Sequence, residues 1–227
     1  MPLLPRIASV RRELHTNGPR WTRENDHDFE RVGLPENDCD AVRDLLICEK
    51  VSTVVEIGLA YGNSGLAIGE ALATVGDPEA CHLAIDAFQE TEWANVGWQA
   101  LVDAGLDGIS RLLTERSQLA LCRLLTEGFT ADAAFVDGSH IFHEVFVDLY
   151  YLHQVVRPGG AVILDDAWWP SVDAAARYYE TNCAWRAVPL PPGGSVDPER
   201  GPRLRAYRLP DPPVQPGFQD FRPFLAA

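Results

Sequence analysis

The sequence predicts a doubly wound α/β domain built on a mostly parallel sheet of seven strands, and three observations carry that prediction. Short apolar runs alternate with longer helical stretches through the middle of the chain. The strand-like runs are apolar throughout rather than every second residue, so they need cover on both faces. Several of them end abruptly in glycine or aspartate, as strands do where they feed a ligand-binding edge.

The elements follow in order. Residues 1–36 read as a polar, irregular arm, with Leu3, Leu4, Ile7 and Leu14 on one weak helical face. The core, 37–209, opens with Asp38 as N-cap of a helix carrying Val42, Leu45, Leu46 and Ile47. Strands are expected at Val51–Ile57, Cys81–Ile85, Ile109–Thr114, Ala133–Val136 and Ala161–Leu164. Helices are expected at Ser64–Val75, Trp93–Ala104, Gln118–Thr126, Phe142–Val156 and Val172–Asn182, with Pro158-Gly159-Gly160 stopping the fourth. Trp185–Leu190 and Leu204–Leu209 form a closing antiparallel pair around the Pro/Gly-rich loop 191–203. Residues 210–227, rich in proline, form an extended tail lying on the core or on a partner subunit.

Length and composition bound the function. A chain of 227 residues suits one domain with a substantial core. The formal charge of -14 repels phosphate backbones and anionic lipid, which excludes nucleic acid and membrane surfaces as partners and favours a small molecule. The five cysteines at 39, 48, 81, 122 and 183 have no zinc-type spacing. Their apolar neighbours (Ile47-Cys48, Leu121-Cys122) predict buried, reduced thiols in a cytoplasmic protein. No continuous apolar stretch near the N-terminus reads as a secretory signal, and none approaches the roughly 20 residues of a membrane span.

The first strand runs into Glu56-Ile57-Gly58-Leu59-Ala60-Tyr61-Gly62-Asn63-Ser64. Glycines there are either tight-turn residues or the means by which backbone approaches a ligand beside a helix N-terminus. The four-residue glycine spacing is not the dinucleotide fingerprint. An acid before the first glycine suits a cationic cofactor better than a pyrophosphate.

The second strand ends in Asp86, about 30 residues on, either a surface loop acid or the acceptor for two ribose hydroxyls, with Phe88 beside it for adenine. After the third strand, Ser117 opens a helix and reads as its N-cap. The fourth and fifth strands end in Asp137 and in Asp165-Asp166. Neighbouring strand ends lie about 5 Å apart, so three carboxylates would crowd one crevice. They need a divalent cation such as Mg²⁺ or a proton, unless Asp166 caps a helix while Asp137 meets a cofactor amine.

These motifs resemble those of class I S-adenosylmethionine-dependent methyltransferases, in particular metal-dependent O-methyltransferases of the catechol type and sugar O-methyltransferases of macrolide and aminocoumarin pathways. The likeness runs from about Val51 to Asn182 and includes Asp-Gly-x-His, Arg-Pro-Gly-Gly and Asp-Asp. Ala60 stands where the broader class carries glycine, a departure that catechol-type members share. The resemblance implies that S-adenosylmethionine is held by Glu56, Gly58, Tyr61, Gly62, Ser64, Asp86, Phe88, Ser117, Gln118 and Asp137, and a divalent ion by Asp137, Asp165 and Asp166. His140 stands where catechol-type enzymes carry a catalytic lysine. It is read either as the general base or as a group orienting Asp137, with His143 as fallback and His15 and His27 entering if the arm is a lid. Trp168 and Trp169 either wall a flat or sugar-bearing acceptor or make core and dimer contacts. Relatives of this kind are often oligomers, which makes the arm either a lid or a dimer element.

The reading that follows is methyl transfer to a hydroxyl of a small natural-product-like acceptor, with Mg²⁺ activation and the catalytic pair His140 and Asp137. Its alternatives are a metal-independent methyltransferase with His140 as base and a non-catalytic nucleotide-binding scaffold of the same fold.

Overall fold

The computed structural model describes residues 2–19 and 29–224. Five strands run parallel: β1 (Thr53–Ile57), β2 (Cys81–Ile85), β3 (Ser110–Leu113), β4 (Ala131–Val136) and β5 (Val156–Leu164). Two more, β6 (Arg186–Val188) and β9 (Arg205–Arg208), complete a seven-stranded sheet in the order β3-β2-β1-β4-β5-β9-β6. Strand β9 is antiparallel to both neighbours, so its first residue, Arg205, pairs with the last of β5, Leu164. Between β6 and β9 a two-stranded ribbon, β7 (Val196–Asp197) with β8 (Gly201–Pro202), decorates the loop.

Period-two alternation on the strands divides the core into two layers. Val55, Ile57, Ala134, Val136, Val162 and Leu164 face α6 (Ser117–Thr126), α7 (Phe142–Val155) and α8 (Pro170–Asn182). Val54, Ala133, Phe135, Ala161 and Ile163 face α3 (Glu36–Cys48) and α4 (Asn63–Val75). Beside these, α5 (Val96–Ala104) and the N-terminal helix α1 (Leu3–Asn17) share a third apolar cluster around Leu59, Leu66 and Leu101. A short α2 (Phe29–Val32) precedes α3.

Several expectations are corrected. The described start of the arm is helical rather than irregular: α1 buries Ile7 and Leu14 while Leu3 and Leu4 stay exposed. Arg6 donates to the carbonyls of Val102 and Asp103, and Arg11 bridges Asp40 and Glu70. Asp38 is not the N-cap of α3. It lies buried in the first turn and accepts the backbone N–H of Ser195 at 2.7 Å, pinning the ribbon loop to that helix. Pro158-Gly159-Gly160 does not stop α7, which ends at Val155. It forms instead the irregular start of β5, where pairing jumps from Ala131↔Val156 to Ala133↔Ala161. Cys48 and Cys122 are exposed; the thiols that are buried are Cys39 and Cys183. Among the described residues the tail has no regular element and lies on the core, with Val214 O accepting from His153 and Asn182 bonded to Arg222. Among the described residues no helix is long and apolar enough to cross a membrane.

Strand order reverses between β1 and β4, and there Gly58 is decisive. Asp137 N donates to Ile57 O at 2.8 Å, and a Cβ on Gly58 would stand 2.1 Å from Asp137 O, at φ +88°. Gly58→Ala is therefore expected to lose about 2–5 kcal/mol, from left-handed strain plus forced separation of the two strand ends. Urea denaturation of the variant against the parent measures it.

Candidate active site

The switch point places the carboxyl ends of β1, β2, β4 and β5 around one crevice, the position where open α/β sheets bind ligands. On its β1 side the loop Gly58–Gly62 is held by close backbone approaches. A Cβ on Gly97, at the start of α5, would lie 2.3 Å from Ala60 O, and one on Gly62 would lie 2.9 Å from Gly97 O. Ser64 is buried in the first turn of α4. Tyr61 is buried between Phe29 and Trp93, in edge contacts at 5.3 and 5.2 Å.

Glu56 is fully buried. One carboxylate oxygen bonds His82 Nε2 at 2.8 Å, and His82 Nδ1 reaches Ser110 Oγ at 3.2 Å. The other oxygen, Oε1, has no hydrogen-bond partner among the described residues, and neither does the buried Asn63 Oδ1. Two unsatisfied acceptors in the Glu56–Asn63 segment fit a cofactor that brings an ammonium group.

Asp86 does not stand open at the end of β2. Its Oδ2 accepts from Leu59 N (3.1 Å), Ala60 N (2.8 Å) and Gln89 Nε2 (2.9 Å), and its Oδ1 from Phe88 N (2.8 Å). It therefore locks the glycine loop to β2, assisted by the buried Gln89, which also donates to Ala60 O. Phe88 is exposed beside it.

Ser117 is the first residue of α6 rather than its cap, which is Arg116. Ser117 and Gln118 both hydrogen-bond the buried Asp148 of α7, Gln118 at 3.2 Å. Burial pushes Asp148 up to about 7, with Glu144 adding to the rise and the two hydrogen bonds opposing it.

The carboxylates of β4 and β5 are not presented as an open triad. Asp165, with a fully buried side chain, is held by both edges of the Arg203 guanidinium: Nε to Oδ1 at 2.8 Å and Nη2 to Oδ2 at 2.7 Å. Asp166, at φ +47°, pairs through Oδ2 with His140 Nε2 at 2.9 Å, and its Oδ1 lies 3.8 Å from Arg203 Nε. Asp137 remains between them. Burial and the neighbouring Asp165 hold its carboxyl well above the usual range. Burial also works against the Asp166 charge, but the His140 hydrogen bond and Arg203 outweigh it and hold that carboxyl below the usual range.

His140 thus meets Asp166 and not Asp137. Ser171 Oγ donates to its backbone carbonyl at 2.6 Å, and its side chain is 42% exposed, within reach of a ligand. Trp169 is exposed 6.1 Å from the His140 ring, with Arg200 over its indole at 5.8 Å. The Nε1 of Trp168 is buried without a partner among the described residues. His143 is exposed on α7, and His15 pairs with Glu36 beside Asn63. His27 lies outside the described residues.

The all-oxygen Mg²⁺ set of Asp137, Asp165 and Asp166 does not fit this arrangement, because Asp165 is already committed to a cation of the chain. One atom each of Asp137, His140 and Asp166 come within 4.8 Å of one another. That set replaces a carboxylate with an imidazole already bonded to Asp166, a poorer match to a hard ion.

A family model described as a methyltransferase domain matches residues 55–167. Over those residues the chain carries a methyltransferase domain. Similar solved structures support that fold. One is the O-methyltransferase TomG of Streptomyces achromogenes, involved in tomaymycin synthesis and in complex with S-adenosylmethionine: 16% identity, 92% of this chain and 90% of that one, TM-score 0.62. Another is an O-methyltransferase of Bacillus cereus in complex with S-adenosylhomocysteine: 15% identity, 92% of this chain and 100% of that one, TM-score 0.61. A putative O-methyltransferase of Klebsiella pneumoniae is similar at 18% identity over 92% of this chain and 90% of that one, TM-score 0.61. No significant match to a curated protein sequence is found.

The sequence reading missed Arg203, Gln89, Asp148 and His82. Arg203 had one usable signal. It lies two residues before a strand that pairs antiparallel, and such a strand begins at the edge where parallel strands end.

Asp148 generates a test. Its native pKa is raised, so below about pH 4 the stability it contributes is fully present, and this is lost as pH climbs towards about 7. Asp148→Asn is expected to remove that component. The difference in melting temperature between variant and parent should grow in the variant's favour from pH 4 to 7 and then level off, as read by circular dichroism.

Proposed function

We propose that this methyltransferase moves the methyl group of S-adenosylmethionine to a hydroxyl of a small aromatic or sugar-bearing acceptor, with His140 as the general base. The observation that carries the reading is the His140–Asp166 pair at the carboxyl edge of a methyltransferase domain. The O-methyltransferase neighbours, two of them holding S-adenosylmethionine or S-adenosylhomocysteine, support it.

On this reading the cofactor lies along Gly58–Gly62 and Ser64. Tyr61 supports the loop, Glu56 and Asn63 offer acceptors to the amine, and Asp86 and Phe88 lie at the ribose and adenine end with Ser117 and Gln118. Reaching a ribose would require Asp86 to exchange some of its loop bonds. When bound, the cofactor supplies a methyl group on a sulfonium, which a hydroxyl oxygen displaces in line.

The chain's part is orientation and proton removal. With Nε2–H donated to Asp166, His140 keeps Nδ1 as acceptor for the hydroxyl proton, and Asp166 stabilises the imidazolium that results. Asp137, at the edge nearest Gly58, is placed for the cofactor amine or the acceptor. Trp168 and Trp169 form the acceptor wall. The cytoplasm is the proposed location, and the described part of the arm, α1, packs on the α4 and α5 side.

Mg²⁺ activation is the second reading. The 4.8 Å convergence of Asp137, His140 and Asp166 favours it, and the commitment of Asp165 to Arg203 opposes it.

Calorimetric titration with S-adenosylmethionine is expected to give saturable binding at one site. Transfer of labelled methyl to a panel of phenolic and sugar-bearing acceptors should then fall about 10²–10⁴-fold in His140→Gln, with cofactor affinity unchanged. Absence of cofactor binding by the parent would overturn the reading.

A further inference from the structure

A parallel sheet that ends two adjacent strands in Asp137 and Asp165-Asp166 must neutralise three carboxylates at one edge. Three chemistries can do it: a divalent ion bound from solution, a cation carried by the chain, or a retained proton. Here the second is built. Arg203 reaches the edge because β9 enters the sheet antiparallel to β5, which starts its approach where β5 stops.

The residue is fixed by its backbone as well as its side chain. Ala167 N donates to Arg203 O at 2.9 Å, and Arg203 N donates to Ser195 O at 3.0 Å. Ser195 in turn is tied to α3, its N–H donated to Asp38 and its Oγ accepting from Asn37 at 3.2 Å. The guanidinium side chain is 12% exposed and the Asp165 side chain 0%. A bidentate pair with a fully buried carboxylate, a mostly buried guanidinium and four anchoring hydrogen bonds is not a surface ion pair that a metal displaces at little cost.

We infer that Arg203 is the resident cation of this site, standing where a divalent ion would otherwise bridge the strand ends, so that the methyl transfer proposed above proceeds without a metal. The role in transfer rests on that reading; the occupancy of the cluster by Arg203 does not. A guanidinium offers no open coordination position, so the acceptor oxygen is not activated by a Lewis acid. The proton then leaves to His140 alone, and Arg203 acts as a positioning residue that fixes Asp165 and the turn carrying Asp166.

Mn²⁺ is the probe, because its paramagnetic resonance signal reports binding without any turnover. The parent protein, with and without S-adenosylmethionine, is expected to leave the free-Mn²⁺ signal undiminished at sub-millimolar ion. Arg203→Met is expected to bind one Mn²⁺ and to gain several degrees in melting temperature when the ion is added. Asp165→Asn in that background should abolish both effects. If Arg203→Met folds only with Mn²⁺ present, the inference is equally supported. Stoichiometric Mn²⁺ binding by the parent overturns it. So does a folded Arg203→Met that binds none, and so does an Arg203→Met that no Mn²⁺ rescues while Arg203→Lys folds and binds the ion. A parallel calorimetric titration of the parent with S-adenosylmethionine tells the two claims apart, since loss of cofactor binding would sink methyl transfer and leave the Mn²⁺ result readable.

Discussion

Charge at the carboxyl edge of the sheet is the constraint around which the rest of the site is arranged. Strands β4 and β5 run in register from Ala133↔Ala161 to Val136↔Leu164, so the residues that follow them emerge side by side. Asp137 and Asp165 follow them, and Asp166 comes next at a left-handed φ that a non-glycine residue adopts only when its surroundings hold it there. One guanidinium, one imidazole and a raised Asp137 carboxyl together keep that edge tolerable. The pairing is specific. Asp165 takes Arg203, Asp166 takes His140, and each partner comes from a different connection: one from the loop before β9, the other from the turn after β4. Breaking a buried pair of this kind costs about 3–5 kcal/mol because the remaining charge is left uncompensated, so the site and the closing strands of the sheet stand or fall together.

The opposite side of the crevice is organised by hydrogen bonds to backbone instead. Asp86 takes four donors, three of them main-chain N–H groups, and Gln89 bonds Ala60 O and Asp86. The glycine loop is thereby held in one shape before any ligand arrives, which lowers the ordering entropy that binding must overcome. Asp148 does comparable service for Ser117 and Gln118 across α6 and α7. In both places an acid shapes the residues to which a ligand-binding role was assigned.

Periodicity made most of the fold legible. Cys81–Ile85 coincides with the observed strand, the other core elements apart from the early start of β5 fall within a few residues of expectation, and the antiparallel pairing of the last two strands is present. What failed did so for identifiable reasons. Asp38 carries the right chemistry for a cap, but a backbone donor 157 residues away claimed it, and local pattern contains nothing about that distance. Cys48 and Cys122 sit beside apolar residues yet on the outward faces of their helices. The crowding of the strand-end acids was legible because neighbouring parallel strands in register end side by side. Their partners were not, because Arg203 lies in a Pro/Gly-rich loop that reads as a connector. Only knowing that β9 inserts next to β5, rather than beside β6 alone, brings that loop to the edge.

The late position of β9 in the sequence and its inner position in the sheet also set an order on events. Asp165 leaves the ribosome 38 residues before Arg203. Without the segment that follows β6, the strand-end acids lack their guanidinium and the sheet lacks the strand that joins β5 to β6. Insertion of one four-residue strand then closes the sheet and delivers the counter-charge in the same step. Charge balance at the strand ends and closure of the sheet are thus supplied by one segment of the chain.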